Sequence, residues 1–209
     1  MDLLVITPEQ NVPAEARIVN DLFARGLQRL HVRKHGYTTA QYREYIMSID
    51  SRYYSRIVVH SSFELLHELG LGGIHLNSHS RTDDNVWKSI SDIPQSTIST
   101  SFHSWQEIEE NDFPYNYVFI SPIFDSISKA GYSGSIDLSG AVSIKEYRKM
   151  QGRYCPKIIG LGGVRGGQLN DLRSIGFDGA AMLGAIWLSE DPVSSFTEAM
   201  YVINKMKEH

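Results

Sequence analysis

The 209-residue chain contains a single cysteine, Cys155, so an internal disulfide framework is excluded. Cys155 precedes Pro156 at the start of a predicted strand, and we interpret it as a small buried hydrophobic residue in preference to a nucleophile. The cysteine and histidines lack the spacing of a zinc site, and the sequence has no Gly-x-Ser-x-Gly elbow of a serine hydrolase. No local motif therefore predicts a metal ligand or a covalent nucleophile.

Excess positive charge and long apolar runs are also missing. The net charge is −4 and the pI is near 6.0, which gives no basic footprint for nucleic acid. The first seven residues have no basic region, and their apolar run is too short for a signal peptide or a membrane span. We therefore expect a cytoplasmic protein without nucleic-acid or membrane partners. The sequence leaves the oligomeric state open, with a homo-oligomer among the options.

Apolar runs recur along the chain, and no linker, low-complexity tract or change of composition separates them, which predicts one domain over residues 1–209. The runs are rich in Val, Ile and Leu without clean alternation, as in strands that are buried on both faces. We predict eight strands: Leu3–Thr7, Arg29–Arg33, Arg56–His60, Gly73–Leu76, Ser96–Ser101, Tyr117–Ser121, Lys157–Leu161 and Gly179–Leu183.

The segments between these strands carry helix signals. Thr38 with Gln41, and Ser104 with Glu107, have the spacing of a capping box, and Asp191 followed by proline is typical of a helix start. Eight strand-helix units predict a single-domain (β/α)8 TIM barrel, an α/β fold. A doubly wound sheet uses the same units and is the alternative. The barrel is favoured because glycine-rich turns follow units seven and eight, where barrels commonly bind phosphate.

These turns lie in Ile158–Val164 and Gly179–Ile186, where a short apolar strand ends in glycine before a helical segment. Glycine lets backbone N–H groups approach a ligand closely, and a helix N-terminus is partly positive. The two turns therefore predict a phosphate cup. They do not form a dinucleotide fingerprint, because Arg165 occupies the third glycine position when the motif is started at Gly160.

The C-terminal strand ends supply further candidates, since barrel active sites lie there. His103 directly precedes the predicted cap Ser104, where an imidazole either moves protons or serves only as a structural hydrogen-bonding group. Arg33 has a guanidinium suited to carboxylate or phosphate, or it pairs with an acidic neighbour. The loop 121–129 is either an anion-gripping lid or a solvated loop.

Six segments in order resemble the thiamine phosphate synthase / TenI family of (β/α)8 barrels in thiamine biosynthesis. They are His31-Val-Arg-Lys-His35, Gly73-Ile-His-Leu76, Ser101-Phe-His-Ser104, Ser121-Pro-Ile-Phe-Asp-Ser-Ile-Ser-Lys129, Gly160-Leu-Gly-Gly-Val164 and Ala181-Met-Leu-Gly-Ala-Ile186. The resemblance covers nearly the whole chain and implies a thiazole phosphate as the substrate of either branch of the family.

The synthase branch joins a pyrimidine pyrophosphate to the thiazole with Mg²⁺ held by aspartates. Its pattern is Gln-Leu-Arg-Glu-Lys, then Asn-Asp, then an aspartate after Gly-Val-His-Leu. This chain keeps the arginine as Arg33 but departs elsewhere, with His31, His35, His60-Ser61 and Ser80 at or near the other positions. Mg²⁺ prefers carboxylate and phosphate oxygens. Asp83 or Asp84 could replace one lost ligand.

The tautomerase branch lacks these aspartates and has a His-Ile-Arg-like segment and a Ser-x-His-Ser context, which this chain matches. The resemblance thus favours a thiazole tautomerase without a cofactor, in which His103 and Arg33 are catalytic: His103 transfers the proton and Arg33 orients a carboxylate. The implied substrate- and phosphate-binding residues are His31, Ser101, Ser126, Ser128, Lys129, Gly162, Gly163, Leu183 and Gly184. The alternatives are a Mg²⁺-dependent synthase and, behind it, a non-catalytic binder of thiazole or thiamine phosphate.

Overall fold

The computed structural model of the chain describes residues 1–90, 96–125 and 136–206. Within these residues eight parallel strands form a closed barrel, each strand paired with the next and β8 paired with β1. The strands are β1 Asp2–Ile6, β2 Arg29–Val32, β3 Ile57–Val59, β4 Gly73–Leu76, β5 Thr97–Phe102, β6 Tyr117–Ile120, β7 Lys157–Leu161 and β8 Gly179–Met182. The closed sheet confirms the (β/α)8 prediction and excludes the doubly wound alternative.

Helices follow the strands around the barrel. In the described parts of the chain they are α1 Glu15–Ala24, α2 Thr39–Met47, α3 Leu65–Leu69, α4 Asp84–Ile90, α5 Trp105–Glu110, α6 Gly140–Met150, α7 Leu169–Ser174, α8 Gly184–Trp187 and α9 Pro192–Lys205. Among these described residues, no helix is both long enough and apolar enough to span a membrane.

The predicted helix caps are present. The Thr38 hydroxyl accepts from the Gln41 N–H, and the Gln41 side chain accepts from the Thr38 N–H, so this capping box is complete. At α9, Asp191 accepts from the two N–H groups that follow Pro192. At α5, Ser104 caps as predicted, but Glu107 accepts from the N–H of His103 and not from that of Ser104. This last bond fixes the backbone that carries His103.

Two apolar layers enclose the strands. The larger lies between the strands and the surrounding helices, where residues such as Leu3, Val5 and Phe196 are fully buried. The smaller fills the barrel interior and contains Leu4, Ile6, Tyr117, Phe119, Ile159 and Ala181. Because neighbouring residues of a strand point to opposite faces, the same alternation directs His31, His75, Ser99 and Ser101 inward from β2, β4 and β5. The barrel interior is therefore mainly apolar beside β1, β6, β7 and β8 and polar beside β2, β4 and β5.

Cys155 lies half-buried just before β7, near the N-terminal end of the barrel. Burial raises the pKa of its thiol, which lowers the thiolate fraction near neutral pH. This environment agrees with the interpretation of Cys155 as a structural residue.

Candidate functional site

A cavity of about 340 Å³ opens at the C-terminal ends of the strands. It contains three of the predicted site residues, Arg33, Ser101 and His103, and its other polar lining includes His60, His75 and Asn77. None of its lining residues in the described parts of the chain is an aspartate or a glutamate. We call this space the mouth cavity. It brings together residues from β2, β3, β4 and β5, so its composition follows from barrel closure.

His103 stands at the rim of the mouth cavity on an exposed position after β5. Its Nδ1 lies 2.8 Å from the carbonyl oxygen of Ser121. A carbonyl can only accept, so Nδ1 is the ring nitrogen that bears hydrogen in the neutral form, and Nε2 then carries the lone pair. The contact orients the imidazole as a base whose proton-accepting nitrogen is free of that bond.

Arg33 follows β2 and is about one-third exposed, with its Nη2 3.2 Å from Glu9 Oε1. The same nitrogen lies 3.0 Å from Nε2 of His35. Its backbone N–H donates to the hydroxyl of Thr7, which holds the end of β2 against β1. The guanidinium thus faces the mouth cavity but already has an acidic partner at the surface. An incoming carboxylate would share or replace the Glu9 contact.

Beneath the rim, His31, His60 and His75 lie together, and we call them the histidine cluster. His31 Nδ1 is 2.9 Å from His60 Nε2, and the His60 and His75 rings stack with centroids 4.3 Å apart. Hydroxyl groups satisfy the remaining deep nitrogens: Tyr117 lies 2.7 Å from His31 Nε2, and Ser99 lies 2.9 Å from His75 Nδ1. Ser101 contacts His75 Nε2 at 2.9 Å. Hydrogen bonds thus join His60, His31 and Tyr117 at the floor of the mouth cavity, and His75 is held against them by ring stacking and by the two serines.

The histidine cluster is held neutral by its surroundings. Burial, which disfavours the charged imidazolium, is the largest cause and lowers the pKa of His75 to about 3, with Arg33 and Arg81 adding to the effect. Burial likewise places the pKa values of His31 and His60 well below the usual range, and the neighbouring histidines and arginines lower them further. Near pH 7 each ring therefore has one donor and one acceptor nitrogen.

These lowered pKa values predict that the protein loses stability as pH falls below about 6.5, the ordinary pKa of histidine. In that range unfolded histidines take up protons while the folded cluster does not, so the unfolded state binds up to three more protons. Urea unfolding between pH 7 and pH 4, with chelator present, measures the slope. His60→Gln should flatten it, whereas His67→Gln, on the exposed surface of α3, should not. An equal slope in both variants would contradict the prediction.

The other predicted binding residues fall into three groups. His31 is fully buried below the floor of the mouth cavity, and its ring contacts His60 and Tyr117. His31 does not itself line the cavity, so its predicted contact with substrate stays a prediction. Ser126, Ser128 and Lys129 lie outside the described residues.

The glycine turns form the third group. Gly162 and Gly163 follow β7, and Leu183 and Gly184 follow β8, which pairs with β7, so the turns are neighbours. A Cβ on Gly163 would lie 2.3 Å from the carbonyl oxygen of Asp125, and φ is +68° at this residue. Glycine is required here because the segment after β6 packs against this turn. This packing explains why residue 163 is glycine without any role in binding phosphate, and the sequence did not reveal it.

Gly184 lines a second cavity of about 470 Å³, together with Arg165, Gly166 and Ser189. This space lies beside α9 and shares no lining residue with the mouth cavity among the residues the structure describes. Arg165 supplies a cation close to the start of α8. The phosphate cup therefore stays a prediction, with Arg165 as an additional cation that sequence reasoning did not select.

The residues described at the mouth do not fit Mg²⁺. They offer imidazole, guanidinium, amide and hydroxyl groups, whereas Mg²⁺ is held mainly by carboxylate and phosphate oxygens. Asp83 accepts from the N–H of Asn85 at the start of α4, and Asp84 is exposed on that helix. Neither lines the mouth cavity. Their positions therefore do not support the idea that Asp83 or Asp84 replaces a lost magnesium ligand.

Sequence reasoning did not identify His60, His75, Ser99 and Tyr117 as one unit. His60 and His75 lie at or near the predicted strand ends, but the sequence gives no sign that they meet. Tyr117 begins a predicted strand and gave no functional signal. The inward alternation of β2, β4, β5 and β6, combined with the order of strands in a closed barrel, is the signal that could have found them.

Comparison of this chain with known proteins identifies its family. The family TMP-TENI, described as thiamine monophosphate synthase, matches residues 3–186. A thiamine-phosphate synthase of Listeria welshimeri is 29% identical over 144 residues, which are 68% of this chain and 65% of that protein, so the match spans slightly less than two thirds of this relative. A thiamine-phosphate synthase of Lactococcus lactis is 28% identical over 137 residues, 65% of this chain and 59% of that protein.

Among solved structures, thiamine phosphate pyrophosphorylase from Bacteroides thetaiotaomicron is 26% identical, with a TM-score of 0.75 and coverage of 98% of both chains. The Pyrococcus furiosus thiamine phosphate pyrophosphorylase has the same TM-score at 18% identity, over 98% of this chain and 96% of that one, which supports the fold alone. The family match over residues 3–186 shows that this chain belongs to the thiamine monophosphate synthase (TMP-TENI) family.

Proposed function

We propose that this protein is a thiazole tautomerase that aromatises a carboxythiazole phosphate by moving a proton. The observation that carries the proposal is the mouth cavity, which pairs a base with a cation and has no carboxylate in its described lining. Proton transfer at a carboxylated substrate needs an acid–base group and anion clamps. It does not need a site for magnesium pyrophosphate.

His103 is the proposed proton-transfer residue. The Ser121 carbonyl holds its Nδ1–H, so Nε2 accepts a proton from the substrate and returns it at the second position. Its exposure at the rim suits a group that must meet a ligand entering from solvent. The backbone N–H of His103 donates to the Glu107 carboxylate, which fixes the backbone that carries the imidazole.

Arg33 is the proposed partner of the substrate carboxylate. Its guanidinium lines the same cavity as His103 and can bind a carboxylate with two parallel hydrogen bonds. Ser101, beside it, offers a hydroxyl group that also touches His75. At the other end of the substrate, we propose that the backbone of Gly162, Gly163, Leu183 and Gly184, with Ser126, Ser128 and Lys129, binds the phosphate.

A thiamine-phosphate synthase is the second candidate, because the relatives named above carry that name. In that reaction a thiazole phosphate displaces pyrophosphate from a pyrimidine pyrophosphate. The described lining of the mouth cavity has one arginine and no carboxylate with which to bind a magnesium pyrophosphate. This composition favours the tautomerase.

A side-by-side assay separates the two candidates. Purified protein is given the non-aromatic carboxythiazole phosphate in one reaction, and thiazole phosphate with pyrimidine pyrophosphate in another, each with Mg²⁺ and with chelator. We expect tautomer turnover that is unchanged by chelator, and no release of pyrophosphate. Mg²⁺-dependent pyrophosphate release without tautomerisation would establish the synthase. Binding of thiazole phosphate with neither turnover would indicate a non-catalytic binder.

A further inference from the structure

We propose that the histidine cluster is a binding site for a divalent transition metal of the Zn²⁺ or Co²⁺ class. His31, His60 and His75 each offer one ring nitrogen, and the three nitrogens lie within 4.8 Å of one another. Two nitrogens bound to one tetrahedral Zn²⁺ would lie about 3.3 Å apart, given Zn–N bonds of about 2.0–2.1 Å. Formation of a three-histidine site therefore requires the nitrogens to move closer together, which separates the stacked rings of His60 and His75 and releases His75 Nε2 from the Ser101 hydroxyl.

The contacts around the cluster favour this chemistry. A histidine that binds a metal normally has its other ring nitrogen fixed by a hydrogen bond. The Tyr117 hydroxyl plays that part for Nε2 of His31, and the Ser99 hydroxyl does so for Nδ1 of His75. The atoms that would turn to the ion are then His31 Nδ1 and His60 Nε2, which face each other at 2.9 Å, and His75 Nε2, which contacts Ser101.

The protein can bind the metal ion without releasing a proton. A hydroxyl both donates and accepts, so Tyr117 can accept from His31 Nε2–H when His31 presents a lone pair at Nδ1. His60 presents a lone pair at Nε2 when its hydrogen is on Nδ1. His75 presents a lone pair at Nε2 when the hydrogen on its Nδ1 is donated to Ser99. Metal binding thus exchanges two contacts, His31–His60 and His75–Ser101, for three metal–nitrogen bonds.

The donor set also selects among metals. Three imidazole nitrogens suit Zn²⁺, Co²⁺, Ni²⁺ and Cu²⁺, whereas Mg²⁺ requires oxygen ligands. The site is therefore unrelated to the aspartate-held Mg²⁺ of the synthase reaction. The proposal goes beyond the proposed function and does not depend on it.

The surrounding charge predicts the fourth ligand. Arg29 and Arg33 lie close enough to lower the pKa values of the cluster, so a bare divalent ion would be repelled. An anionic oxygen at the open position, facing the mouth cavity beside Arg33, offsets this charge. Hydroxide qualifies near neutral pH, because Zn²⁺ lowers the pKa of bound water to about 7. A carboxylate or phosphate oxygen of a small ligand would also suit this position.

The test is a titration of chelator-treated, tag-free protein with Co²⁺, followed by visible absorption. We expect one equivalent to produce the d–d bands of a nitrogen-rich site of low coordination number, and Zn²⁺, but not a large excess of Mg²⁺, to abolish them. His60→Ala should lower Co²⁺ affinity by at least about 100-fold, as expected for the loss of one of three ligands. His67→Ala, which removes an exposed histidine of α3, should leave it unchanged.

A second pair of variants tests the hydroxyl support. Tyr117→Phe should weaken Co²⁺ binding by about 10–100-fold while keeping the same bands, because the ligands stay and only the bond to His31 Nε2 is lost. Tyr115→Phe, at a buried tyrosine of the apolar layer outside the strands, should bind as the wild type. Circular dichroism establishes that each variant is folded.

Binding of no metal by the wild type, or equal binding by the wild type and folded His60→Ala, would overturn the proposal. The Tyr117→Phe result keeps it testable if His60→Ala does not fold, since wild-type affinity in that variant would also count against the site. No thiazole is present in these titrations. Failure of the metal site is therefore distinguishable from failure of the tautomerase proposal, which the turnover assay decides.

Discussion

Replacement of His103 by alanine is expected to lower kcat for tautomerisation by about 10²–10⁴-fold, the usual contribution of a general acid–base group. The reason is the geometry at the rim, where the Ser121 carbonyl fixes Nδ1–H and leaves Nε2 to accept the proton. KM should change little, because Arg33 and the phosphate-binding turns stay intact. Steady-state kinetics with the carboxythiazole phosphate measure both constants.

Two further variants separate proton transfer from positioning. His103→Gln keeps a donor that can reach the Ser121 carbonyl but cannot take up a proton, so it should lose as much kcat as the alanine variant. His79→Ala removes an exposed histidine that does not line the mouth cavity, and it should retain wild-type turnover. Wild-type kcat in His103→Ala, or substantial rescue by glutamine, would show that another group moves the proton.

Local signals were sufficient for the fold. Each of the eight strands begins and ends within one residue of its predicted bounds, because continuous runs of Val, Ile and Leu mark strands that are buried on both faces. The capping box at Thr38 and the Asp191-Pro192 helix start were also predicted correctly, since a cap depends only on residues three or four apart.

Local sequence signals could not predict which side chains meet across the barrel. His31, His60 and His75 are separated by 29 and 15 residues, and only the register of β2, β3 and β4 brings them together. His31 illustrates the consequence, because its sequence position predicts a substrate contact while the structure places it below His60. Gly163 is a second example, since its close neighbour Asp125 belongs to a loop after another strand.

The site therefore has two layers with different chemistry. The rim holds two separately placed groups, the partly exposed Arg33 and the exposed His103, which suit contact with an anionic substrate. The floor holds His31, His60 and His75, whose lowered pKa values make them poor carriers of a proton near pH 7. This difference is why we assign proton transfer to the rim and metal binding to the floor.

The position of Arg33 depends on a buried ion pair next to it in sequence. Lys34 follows Arg33, its side chain is fully buried, and its Nζ lies 2.8 Å from Glu15 Oε2 on α1. The Tyr45 hydroxyl donates to the other carboxylate oxygen at 2.7 Å, and burial beside Glu15 raises the pKa of that tyrosine well above its usual value. The pair ties the end of β2 to α1 and α2, and so holds the backbone that presents Arg33.

We expect Lys34→Met to lower the free energy of unfolding by about 3–5 kcal/mol, because it leaves the Glu15 carboxylate buried without its counter-charge. The double variant Lys34→Met/Glu15→Met should recover much of this loss, since it removes both charges together. Lys157→Met is the matched control: its ion pair with Asp2 has a similar 2.9 Å distance but lies at the surface, so its loss should cost at most about 1 kcal/mol.

Urea unfolding at pH 7 gives the four free energies of the Lys34–Glu15 cycle. A coupling free energy near zero, or a Lys34→Met loss no larger than that of Lys157→Met, would show that the pair does not act as a unit. In the folded Lys34→Met variant, turnover of the carboxythiazole phosphate should show a raised KM with a smaller change in kcat. This split follows because displacement of Arg33 weakens substrate binding while His103, on the far side of the mouth cavity after β5, keeps its Ser121 contact.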